Sequence, residues 1–183
     1  MTFLRTIALL VAIFVVLTLA GLARSQTQAQ PQVEAAHPAK CGPDHAILYK
    51  RAVGLLDDAE KKLTARYTAQ AKAQVKEANS LFSTLTKECG PSQRQRFLSP
   101  KEEQQEAINQ KLSTDEQSQA DRLLKSAEDK EKTSVQIEAQ QPELSMKYQK
   151  EARDQYEQAH KRYIKAQIYA LRNQQMVFRF LVP

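Results

Sequence analysis

Tryptophan is absent from this 183-residue chain, glycine occurs four times and cysteine twice. No glycine follows Gly90, and the sequence holds neither a glycine-rich phosphate loop nor a Gly-x-Ser-x-Gly nucleophile turn. No stretch alternates apolar and polar residues as a half-buried strand would. Beyond the leader there are four Phe and six Tyr, and Ala dominates the apolar count. Such a chain cannot easily build a thick core. Thin seams between long helices, within one chain or between copies in a homo-oligomer, suit it better. The expected fold is all-α, with long helices forming an elongated, coiled-coil-like bundle.

What is present begins with "MTFLRTIALLVAIFVVLTLAGLARSQ". Arg5, an apolar run from Thr6 to about Ala23 and small residues after it have the layout of a secretory signal peptide over 1–23. The run is near the roughly 18–20 residues that cross a bilayer, so an uncleaved anchor is the alternative. The expected location is therefore periplasmic or extracellular. Removing the leader removes one cation, Arg5, and takes the formal charge from +6 to +5. Residues 24–43, rich in Gln, Ala and Pro without periodicity, read as a flexible, disordered tether.

Helical spacing starts after Pro43, with Asp44 placed to cap the first turn. Apolar residues then recur at Ala52, Leu56, Ala59, Leu63, Tyr67, Ala71, Val75, Ala78, Phe82 and Leu85. Nothing between Gly54 and Gly90 is Pro or Gly, so one helix over about 44–89 is expected, ended by a left-handed Gly90 and by Pro91. Ser99, Pro100 and Glu102 form a capping box for a helix over 100–112. "STDEQSQADRLL" reads as a second start, giving a helix over 115–140, with a kink in a longer helix as the alternative. Pro142 opens the last helix, 142–180. There Ala152, Ala159, Ala166, Asn173 and Phe180 recur every seven residues beside Tyr156, Tyr163, Ala170 and Val177. Alternating Ala and Tyr lets a neighbouring helix approach closely, and Asn173 would set register if buried.

Cys41 and Cys89 are the disulfide candidates, because export implies an oxidising compartment. A straight helix from residue 44 to 88 would be roughly 68 Å long, whereas a disulfide needs Cα atoms within roughly 7 Å. An intrachain bond therefore requires a hairpin near "LTARYTAQ", where nothing visibly breaks a helix. The local sequence favours a rod, in which the cysteines would pair between chains of an antiparallel dimer. His37, Cys41, His45 and Cys89 could be imagined as zinc ligands. However, Pro38, Gly42 and Pro43 keep the first three off one helical face, so no metal is expected.

Asp57, Asp58 and Glu60 lie off the apolar stripe and read as solvated surface. His160 reads as a partly buried structural residue. From Gln158 onward there is no Asp or Glu, while Lys165, Arg172 and Arg179 recur every seven residues. Two explanations stand: packing and the helix dipole, or contact with an anionic partner such as lipid headgroups, envelope polymers or an acidic protein. Export argues against nucleic acid.

The size, leader, positive charge and helix content resemble those of small periplasmic helical chaperones of the Spy/CpxP type. Their Leu-Thr-x-x-Gln motif is approached by "LSPKE" at 98–102, which lacks the Gln, and by "STDEQ" at 113–117, which lacks the Leu. That resemblance implies a chaperone that shields unfolded clients. The reading preferred on the residues is an exported protein, not an enzyme and without cofactor, that acts by protein–protein or cell-envelope contact.

Overall fold

The computed structural model describes residues 41–93 and 98–182; the expected leader and nearly all of the expected tether lie outside them. The described chain is an all-α bundle of four helices: α1 Pro43–Thr64, α2 Thr68–Gln93, α3 Pro100–Ile137 and α4 Pro142–Phe178. A 3-10 turn, Arg179–Leu181, follows α4. No described helix is long and apolar enough to cross a membrane.

The helix expected over 44–89 is two helices, and the rod is corrected to a hairpin. Three residues, Ala65 to Tyr67, make the reversal. The Tyr67 N–H donates to the Lys62 carbonyl at 2.9 Å and the Arg66 N–H donates to the Leu63 carbonyl at 3.2 Å. These are the two bonds of a Schellman cap, and its left-handed position is filled by Arg66 at φ 66°. Its side-chain contact is present too, since the Lys62 ammonium sits 5.3 Å from the centre of the Tyr67 ring. Steps of four carry the apolar stripe from Leu63 through Tyr67 to Ala71, straight across the turn. The periodicity therefore concealed the break, and Tyr67 is the stripe member left exposed.

A left-handed L-residue costs roughly 1–2 kcal/mol, which glycine avoids at the expense of a more flexible unfolded chain. Arg66→Gly is therefore expected to raise the unfolding free energy by about 1 kcal/mol in reversible denaturation. An unchanged or lowered midpoint would assign the Arg66 side chain a stabilising role of its own.

Other boundaries also move. The N-cap of α1 is Gly42, with Pro43 in the first helical position, so Asp44 lies inside the first turn rather than capping it. His45 takes over part of the capping: its Nδ1 accepts from the Gly42 N–H at 3.1 Å. Helix α2 runs on to Gln93, and no glycine among the described residues has positive φ. Gly90 is helical, and Pro91 lies within the last turn of α2 instead of ending it. The break expected at 112–115 is absent. Thr114 Oγ1 donates to the Gln110 carbonyl of its own helix, and Ser113 Oγ donates to the Ala166 carbonyl of α4. Both hydroxyls are thus satisfied without a cap, and α3 continues for 38 residues, about 57 Å. The capping box at its start does form: Glu102 accepts from the Ser99 N–H at 2.9 Å, and the Glu102 N–H donates to Ser99 Oγ at 3.4 Å.

Two hairpins share α4. In the first, α1 contributes Tyr49, Ala52, Leu56 and Ala59 to the core, facing Ala71, Val75, Ala78, Phe82, Leu85 and Cys89 of α2. The second half of α4 adds Ile164, Ile168, Leu171 and Phe178. Cys41 and Cys89 are bonded to each other with Cα atoms 5.6 Å apart, closing the first hairpin at the end opposite its turn.

The second hairpin has a different interior. Ser113, Ala120, Ala127 and Ser134 recur every seven residues along α3. Ser113 bonds the Ala166 carbonyl at 2.9 Å, and Ser145 Oγ donates to the Ser134 carbonyl at 2.9 Å. This antiparallel register sets Ala120 opposite Ala159 and Ala127 opposite Ala152. Small side chains occupy these four facing positions, so backbone and hydroxyl meet directly there. Tyr156 and Tyr163 bridge its flank, donating to Glu131 at 2.7 Å and to Asp121 respectively. The Glu131 contact pushes the Tyr156 phenol up to about 12, so it remains a proton donor. Asn173 does act as a polar seam residue: Asn109 Nδ2 donates to Asn173 Oδ1 at 2.9 Å.

Candidate functional site

The cation stripe on α4 was the one candidate contact surface in the sequence; its members pair with carboxylates of the same chain, while Lys165 and Arg179 keep much of their side chains in water. Lys165 lies 2.6 Å from Glu116 of α3, which Arg162 also reaches at 2.8 Å. Arg172 lies 2.8 Å from Asp57 and 3.0 Å from Glu60, both on α1. Arg179 approaches Glu102 of α3 at 3.8 Å. Each member of the heptad repeat thus meets a carboxylate of its own chain and ties α4 to a neighbouring helix. Asp57 and Glu60, read as solvated surface, are the acceptors for Arg172.

The electrostatics follow this geometry. Burial pushes the Glu116 carboxyl up, but hydrogen bonds from Lys165 and Arg162 outweigh it and hold the group below the usual carboxylate range. Glu116 in turn raises the Lys165 ammonium. Burial works against the charge of Arg172, and Asp57 with Glu60 more than offset it. A lowered folded-state value means that Glu116 stabilises the fold above its unfolded value of about 4.3. That contribution disappears as pH falls through the lower folded value. Glu116→Gln is therefore expected to be less stable than the parent at pH 7, by about 1 kcal/mol because both cations stay partly in water. The gap should close towards pH 3, where the parent's carboxyl is protonated too. Denaturation midpoints measured across that range check it, and a gap independent of pH would refute the pairing.

The disulfide consumes both thiols, so neither cysteine is available as a metal ligand. His37 lies outside the described residues. His45 is engaged instead: its Nε2 lies 2.7 Å from Glu88 Oε2, and its Nδ1 holds Gly42. Among the described residues no cluster of three or more His, Cys, Asp or Glu could hold a metal. His160 is exposed, not partly buried as expected, because its position follows the seam residue Ala159 and points out of the hairpin.

Surface features missed in the sequence lie on the part of the second hairpin that the first hairpin does not cover. The first half of α4 buries only Ser145, Ala152 and Ala159, all against α3. Val135 follows the seam residue Ser134, and Met146 follows Ser145. In an antiparallel helix pair, the positions just after facing seam residues fall on one side, so both side chains share a face near the hairpin tip. They are 66% and 64% exposed. The signal was present as the seven-residue recurrence of Ser113, Ala120, Ala127 and Ser134. Reading it required treating serine as a seam residue.

Compared with known protein families, curated proteins and solved structures, the chain matches none of them.

Proposed function

We propose that this is an exported, non-enzymatic helical protein that acts by contact with another protein or with the cell envelope. The observation that carries this reading is the self-packed α3–α4 arm, which presents Val135 and Met146 on one face. Two large apolar side chains held in water on a braced helix pair are an available anchor for a partner. The Cys41–Cys89 bond supports the compartment, since such bonds persist where the surroundings are oxidising. Of the heptad cations, Arg172 braces the arm against the first hairpin, and Lys165 and Arg179 brace α4 against α3 within the arm.

A photo-crosslinking side chain placed at 135 or 146 in the producing cell tests the reading. One discrete crosslinked product, lost when the label is moved to the exposed Lys111, is the expected result. A smear of many products, together with suppressed aggregation of an unfolded client, would favour the chaperone reading instead. No product at either position would remove the arm tip as a contact surface.

A further inference from the structure

A groove of about 640 Å³ runs between the first turns of α2 and the middle of α4. Its floor is made by Tyr156, Tyr163 and Ile164, and its rim by Lys72, Arg153 and His160. The two phenol groups are committed to Glu131 and Asp121 of α3, so the tyrosines offer ring surface rather than hydroxyls to the groove. No carboxylate among the described residues lies within ion-pair distance of Lys72 or Arg153, in contrast to Lys165, Arg172 and Arg179. The one acid on the lining, Glu157, is held by Lys161 at 2.5 Å. Thr68 Oγ1, on the same lining, is buried without a hydrogen-bond partner.

The geometry points to a binding site for an amphipathic carboxylate: a small molecule with an apolar body of medium-chain fatty-acid size and one anionic head. The volume lies in the range of small-ligand sites, which are mostly apolar with a few placed polar groups. The ring floor takes the apolar body by excluding water from it. Lys72 and Arg153 meet the head, and their lack of internal partners means that no existing ion pair has to be broken first. The other cavities offer less. The one beside Arg172 is lined by groups already paired within the chain, and the one beside Arg122 and Lys125 has Tyr148 as its only aromatic lining residue.

Titration calorimetry of the full oxidised protein with laurate, below its micelle-forming concentration, tests the proposal. Saturable binding of one laurate per chain is expected, with acetate and dodecyltrimethylammonium at least tenfold weaker. Lys72→Glu with Arg153→Glu should weaken laurate at least tenfold. Arg122→Glu with Lys125→Glu, made outside the groove, should leave it unchanged. Circular dichroism on both double variants confirms that each is folded. Equal binding of acetate, equal binding of the cationic analogue, or a Lys72/Arg153 variant that binds like the parent would each overturn the site. Binding to phosphatidylglycerol vesicles with none to monomeric laurate would overturn it in favour of a membrane surface. Met146 lies seven residues before Arg153 on α4, about 10 Å away. Loss of laurate binding and loss of the crosslink at the arm tip are therefore separable results.

Discussion

Removing the cross-link with Cys41→Ala and Cys89→Ala is expected to lower the unfolding free energy by about 4 kcal/mol. The bond joins residues 48 apart, and closing a loop of that length restricts the unfolded chain by roughly this amount in the chain-entropy model. The native state has little to relax in compensation. The hairpin is held at one end by the Schellman turn and at the other by this bond, with Cys89 buried in the same core as Phe82 and Leu85. The neighbouring His45–Glu88 contact is weak glue by comparison, because Glu88 is exposed. Reversible denaturation of the oxidised parent beside the double variant measures the difference, and a difference below about 1 kcal/mol would refute it. On a non-reducing gel the parent should run as a fast monomer with no titratable thiol. A disulfide dimer would restore the rod.

That rod was the largest error of sequence reasoning, and its cause is specific. A reversal usually advertises itself through glycine or proline, because those residues change the backbone cost most. Here the turn is stabilised by backbone bonds to Lys62 and Leu63 and by tertiary closure at Cys41–Cys89. The strained position is occupied by Arg66, a good helix former. Two thiols at the ends of one apolar stripe fit either a fold-back with a bond within the chain or an antiparallel pair of rods bonded between chains, and local propensity alone points to the rod.

The contact surfaces were harder to read for a different reason. Helix content, the Ser99–Glu102 box and the start at Pro142 depend on neighbours a few residues apart, so they were legible. Whether Lys165 faces solvent or Glu116 depends on the register between α3 and α4. That register is set by Ser113 on the Ala166 carbonyl and Ser145 on the Ser134 carbonyl. Neither bond has a one-dimensional signature beyond serine recurring with alanine every seven residues. An unpaired heptad of cations and a paired one look the same in the chain; only the partner helix distinguishes them.

Phe82→Ala should cost about 3–5 kcal/mol, the range for deleting a fully buried aromatic ring and leaving a cavity. Phe82 is wholly inaccessible and is the largest such side chain. It sits where three helices meet. Its ring is edge-on to Tyr49 of α1 at 6.4 Å and stacked on Phe178 of α4 at 6.5 Å. Much of the remaining core is alanine, which cannot swell to fill the gap. The loss should be uneven. Core contacts between the first hairpin and α4 run through Ile164, Ile168, Leu171 and Phe178, whereas the Ser/Ala seam of α3 and α4 includes none of these. Amide exchange should therefore accelerate in α1, α2 and the end of α4, and change little around Ala120, Ala127 and Ala152. A double-mutant cycle with Phe178→Ala should return a coupling of about 0.5–1.5 kcal/mol for the stacked pair. Uniform acceleration along all four helices would instead mean that the two hairpins unfold as one unit, and that the seam does not stand without the aromatic junction.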